Sequence, residues 1–127
     1  MDQKGGAERI LLIKLINLTP TIDETDENGN NFLHYLSMRG DEDLLKEYLN
    51  KALIDGNIEN IINKTNNDME TPLHLAVKNN NQEVCQILID YGANKDLKDK
   101  NGYKVEWVQE NQSGGGKKKV IYGNRKL

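Results

Sequence analysis

The chain has 127 residues, 29% of them charged, a net charge of −3 and a mean hydropathy of −0.76. That length suits one domain with a modest core, and no apolar run approaches the roughly 18 residues of a membrane span. The lone cysteine, Cys85, cannot close an internal disulfide, so a reducing, intracellular compartment is expected. No secretory leader is legible, because the apolar stretch 10–18 is interrupted by Lys14 and Asn17 and lacks a small-residue cleavage site.

Residues 1–6 are polar and glycine-containing and are expected to fray. The pattern Ile10, Leu11, Ile13, Leu15, Ile16 predicts a helix over 7–18, stopped by Thr19-Pro20. An acidic, turn-rich stretch follows and ends in Asn28-Gly29. Glu24, Asp26, Asn28 and Gly29 resemble the start of a calcium loop, but the twelfth position is Tyr35, where a bidentate Glu is required. A short helix from Phe32, a turn at Arg39-Gly40-Asp41 and a second helix over 42–53 come next. The segment Thr71-Pro72-Leu73-His74-Leu75-Ala76-Val77 then repeats the pattern of Asn31-Phe32-Leu33-His34-Tyr35-Leu36. Thr71 suits an N-cap and Pro72 the first helical position. Leu73, Ala76 and Val77 predict a helix with one buried face. A partner helix over 82–91, closed by Gly92, leads to a third turn at Lys98–Gly102.

The Thr71–His74 string resembles the T-P-L-H signature of the ankyrin repeat. The resemblance implies an all-α fold, a short solenoid of helix-turn-helix units joined by β-hairpin-type loops. Its units are an N-cap helix at 7–18, a repeat at 26–64, a second repeat at 65–97 and a half-repeat C-cap at 98–112. In that cap a single helix reaches about residue 111, with Trp107 and Val108 covering the open core. The stretch from Asn28 to Asp68 spans 40 residues against 33 from Asp68 to Asn101. The extra residues fall between 51 and 60, where a longer helix or added turn is expected, with Ile58, Ile61 and Ile62 packing back. The family favours glycine at the position of Met69, so Met69 is expected in a left-handed conformation under slight strain.

The resemblance also implies non-enzymatic protein binding through a concave face of hairpin tips and first-helix ends. The positions concerned are Glu27, Asn30, Met38, Arg39, Asn67, Met69, Glu70, Lys78, Asn79, Lys100 and Tyr103. Met69, Tyr103 and Arg39 are the expected anchors. His34 and His74 both occupy the signature slot, where the family uses histidine to tie backbone rather than to bind metal. Cys85 falls at a core position, Gly114-Gly115-Gly116-Lys117 lacks the P-loop spacing, and no acid/base pair stands out. No enzyme, cofactor or metal is therefore expected.

Residues 114–127 form a glycine-rich linker and basic tail with Lys117, Lys118, Lys119, Arg125 and Lys126 and no acid. Against the net −3, these five charges leave −8 on the rest of the chain. The tail is expected to be flexible. It supports an alternative reading, a nucleic-acid-associated or virion structural component tethered by its lysines. Val120, Ile121 and Tyr122 could add a strand to a partner's sheet. Asn, Lys and Ile make up a third of the chain and suggest an AT-rich genome; large DNA viruses of protists, which resemble it in composition and in ankyrin usage, are one candidate source, and AT-rich amoebae or parasites are another. A viral modulator of a host protein, in host cytoplasm, nucleus or virion, is the corresponding expectation. With about two full repeats, a monomer or weak oligomer is expected.

Overall fold

The computed structural model describes residues 10–11, 24–109 and 118–124, with 107–109 and 118–124 described as backbone. The helices are α1 (Phe32–Arg39), α2 (Glu42–Asp55), α3 (Ile58–Ile61), α4 (Pro72–Lys78) and α5 (Gln82–Asp90). Two strands follow, β1 (Tyr103–Gln109) and β2 (Lys118–Asn124). Of the expected N-terminal helix, Ile10 and Leu11 are helical and exposed; the rest of 7–18 lies outside the described residues.

Each paired helix starts on a side chain that fills an orphan backbone donor. Asn31 and Thr71 accept from the amides of His34 and His74 at 2.8 and 3.2 Å. Asp41 and Asn81 accept from Leu44 and Val84, both at 3.1 Å. Each cap is worth about 1 kcal/mol. Gly40 and Gly56, at φ +78°, end α1 and α2 in left-handed conformations.

The two helix pairs stack into one core. Leu33, Leu44, Leu45 and Leu49 of the first pair meet Leu73, Ala76, Val84, Cys85 and Leu88 of the second, all with at most 1% exposure. Each such leucine contributes about 1.5–3 kcal/mol relative to an exposed one. Phe32 adds an edge-on contact to Tyr48, with centroids 4.9 Å apart.

The residues beyond Lys51 do two things. They lengthen α2 to Asp55, and after Gly56 they add α3, which buries Ile61 and Ile62 and lays Ile58 against the core.

Two expectations fail. The α4 helix was expected to bury one face, yet every residue from Pro72 to Val77 is buried. The reason is its central place: α1 and α5 pack on it, and so do β1 and β2. The stretch after Gly102 was expected to form a capping helix and then a flexible tail. It forms an antiparallel hairpin instead, from Tyr103↔Asn124 through Val105↔Tyr122 to Gln109↔Lys118. Here the segment lacks a Thr-Pro start, and Tyr-Lys-Val-Glu-Trp alternates apolar and polar with the period of a strand. The hairpin supplies the cap: Val105 is 1% exposed in the common core.

Met69 stands at φ +61°, in the place held by Gly29 at +80° and Gly102 at +86° in the neighbouring turns. A side chain there costs about 1 kcal/mol. Replacing Met69 with glycine should therefore stabilise the fold by up to about 1 kcal/mol in urea melts, less the extra freedom glycine brings to the unfolded chain.

Candidate binding face of the hairpin tips

Three tight turns lie next to one another in sequence order, and all three are built alike. In each, one side-chain oxygen accepts from the amides two and four residues on. Asp26 holds Asn28 and Asn30, Asn66 holds Asp68 and Glu70, and Asp99 holds Asn101 and Tyr103, all at 2.9 Å. The turns are then tied sideways through backbone. The Asn67 amide donates to the Asn28 carbonyl at 3.0 Å and the Lys100 amide to the Asp68 carbonyl at 3.1 Å. The Asn67 side chain donates to the Glu27 carbonyl and that of Asn66 to the Asn30 side chain, both at 2.9 Å. In the first turn the Tyr35 hydroxyl donates to Asp26, which lowers the Asp26 pKa and raises that of Tyr35.

Beneath the turns the two histidines do identical work one repeat apart. Asn31 and Thr71 donate their amides to Nδ1 of His34 and His74 at 2.9 and 3.0 Å. Nε2 therefore carries the proton, and it donates across the repeat boundary: His34 to the Glu70 carbonyl at 2.8 Å, His74 to the Tyr103 carbonyl at 3.1 Å. Burial lowers both pKa values, and for His74 the Tyr103 carbonyl and the charges of Asp99 and Glu70 oppose the shift.

With the backbone so occupied, the side chains at the tips face water. Glu27, Arg39, Asn67, Met69, Lys78, Asn79 and Lys100 are exposed, while Asn30, Met38 and Tyr103 are half-buried. Glu70 differs from the exposed contact its tip position suggested. It is 7% exposed, accepts from the Asn66 side chain at 3.0 Å and pairs with Lys78 at 2.5 Å.

Between the second and third turns lies a cleft of about 190 Å³. Asp68, Glu70 and Lys78 form one wall; Asp99, Lys100, Asn101 and Tyr103 form the other. Lys100 bridges to Asp68 at 2.8 Å, which raises its pKa. The cleft brings together Glu70, Lys78, Lys100 and Tyr103 from the expected contact set. Asp68, Asp99 and Asn101 complete it from outside that set: they hold the first and third positions of their turns, whereas the expected turn contacts hold the second, fourth and fifth. Lys118 and Lys119 of the basic segment sit on β2; Lys117, Arg125 and Lys126 lie outside the described residues.

Elsewhere the chemistry is sparse. Cys85 is buried, and its thiol is pushed up to about 12 by that burial. Among the described residues, no three His, Cys, Asp or Glu side chains gather closely enough to hold a metal, and no helix is long and apolar enough to cross a membrane.

Comparison with known proteins agrees with this architecture. The family profile "Ankyrin repeats (3 copies)" matches residues 6–99. The nuclear factor NF-kappa-B p105 subunit of Gallus gallus is 39% identical over 100 residues, 79% of this chain and 10% of that protein. NF-kappa-B inhibitor alpha of Sus scrofa is 31% identical over 83 residues, 65% of this chain and 26% of its own length. The E3 ubiquitin-protein ligase KEG of Arabidopsis thaliana is 32% identical over 80 residues, 60% of this chain and 5% of the ligase. The chain thus spans about a quarter or less of these relatives.

Proposed function

Because the chain belongs to the ankyrin repeat family, we propose that it is a non-enzymatic module that holds a partner protein against its hairpin tips and the adjoining ends of α1 and α4. Ankyrin repeats are protein-protein interaction modules, and one observation carries the reading here. The tip backbones are locked by bonds within and between turns, while a row of their side chains is left exposed. A surface ordered in advance loses little conformational entropy when it binds. Relatives named as a nuclear factor subunit, an inhibitor and a ubiquitin ligase share this repeat region, so what is shared supports partner binding rather than one target. The Asn, Lys and Ile excess supports an AT-rich source, such as a large DNA virus acting on a host protein.

The test is capture from host lysate with wild type, with a tip variant (Arg39→Glu, Met69→Glu) and with a helix-surface variant (Glu47→Lys, Glu83→Lys). The tip variant should lose the partner by about tenfold or more, as expected when anchors are replaced, and the helix-surface variant should keep it. Equal capture by both would remove the tip face as the binding surface. The alternative, a nucleic-acid tether, draws on the lysines at 117–119. It requires salt-sensitive binding that Lys117→Ser, Lys118→Ser and Lys119→Ser together abolish.

A further inference from the structure

The cleft between the second and third turns offers narrower chemistry than the face around it. Its walls carry three carboxylates, Asp68, Glu70 and Asp99, against two ammonium groups, Lys78 and Lys100. Glu70 and Asp99 are each 7% exposed and lie at its floor, whereas Asp68 and Lys100 stand more than half exposed at the rim. Tyr103 also lines it, half-buried, with its backbone held by Asp99 and His74. The excess is one negative charge, in a cavity of about 190 Å³ that admits a side chain and little more.

The geometry points to a cleft that takes one arginine side chain of the partner protein, its guanidinium beside Asp68 and against Tyr103. This rests on reading the tip face as a protein-binding surface. A guanidinium is planar, carries a fork of donors that matches a carboxylate, and is attracted to an aromatic ring. Lysine would supply charge without the fork. An acidic or phosphorylated side chain would meet the excess of carboxylates. Entry costs little rearrangement, because the rim pair Asp68–Lys100 is an exposed ion pair of small worth that can open.

The probe is acetyl-arginine amide, with acetyl-citrulline amide as its neutral isostere and acetyl-glutamate amide as the anion, each titrated into the full chain and followed by backbone amide NMR shifts. Arginine should give saturable shifts at 68–70 and 101–103 in the millimolar range expected of a single side chain, with citrulline and glutamate about tenfold weaker or silent. Asp68→Asn should weaken the arginine response severalfold. Lys100→Met, which removes a competing cation and leaves the carboxylates in place, should strengthen it. Absence of saturable shifts overturns the proposal, as do equal shifts with citrulline, preference for glutamate, or no gain from Lys100→Met. If a partner is still captured through the tips while arginine gives no shifts, the cleft assignment fails and the binding face stands. If arginine shifts the cleft but tip variants keep every partner, the binding face fails instead.

Discussion

His34→Ala should destabilise the fold by about 3 kcal/mol, a large share of what a domain of this size possesses. The ring is fully buried and ties the two repeats through the Glu70 carbonyl. That carbonyl keeps a second partner after the substitution, because it also accepts from the Asn66 amide at 2.9 Å. The Asn31 amide does not fare as well. It donates to His34 Nδ1, in a site 2% exposed, and an orphaned buried donor costs about 1–3 kcal/mol. A void the size of an imidazole adds to it. His74→Ala should cost about 2 kcal/mol, since its tie to the hairpin is longer, at 3.1 Å. Urea denaturation of both single variants and the double checks this. Losses below about 0.5 kcal/mol would mean that the ties are incidental.

The same residues set a pH dependence. Both are held neutral, with pKa values lowered from 6.5 by burial. Below pH 6.5 the unfolded chain takes up protons that the folded chain refuses, so stability falls as pH falls until the lowered folded values are reached. Their contribution is fully present above the unfolded pKa, toward pH 8. Unfolding free energies between pH 8 and pH 5 should slope accordingly, and the slope should flatten in the double variant. Asp26 acts in a separate window: its pKa is lowered from 3.8, so its contribution is lost only at more acidic pH.

The second large effect concerns the hairpin. Val105→Asp would place a carboxylate among core side chains at 1% exposure. Burial of an unpaired charge is costly enough that the hairpin should leave the stack, with a loss of about 3 kcal/mol or more. Amide exchange over 103–109 and 118–124 should then accelerate strongly, and protection in α1 and α2 should persist. A helical cap reaching residue 111 would behave differently. It would place 103–109 in helix, and 118–124 would exchange freely in wild type too.

The repeats were legible because their local signals agree. Thr71 caps, Pro72 starts, His74 closes the capping box and Leu73 reaches the core, and Asn31–Leu33–His34 does the same without proline. Met69 was legible because the equivalent turns carry glycine at a positive φ. The cap was less legible because the repeat phase, extended past Gly102, competes with the two-residue alternation of 103–107, and the family profile stops at residue 99. The strand partner Lys118–Asn124 lies beyond a glycine run, and nothing local announces that it returns to β1. Burial of Glu70 was illegible for another reason. It depends on Asn66 within its own turn and on Lys78 one helix away, a three-dimensional closure that spacing alone does not display.

The ties between turns also bear on how fast the chain finds this arrangement. His34 reaches 36 residues along the sequence and His74 reaches 29. Both are loops of similar size, and the entropy of closing a loop grows only with the logarithm of its length. The search for partners is therefore confined to adjacent units, and folding can begin in either helix pair and spread to the next. In such a zipper the ends open before the middle. Under slow unfolding the contacts around His74 and β1, where the hairpin caps the second helix pair, should part before those within the pair itself.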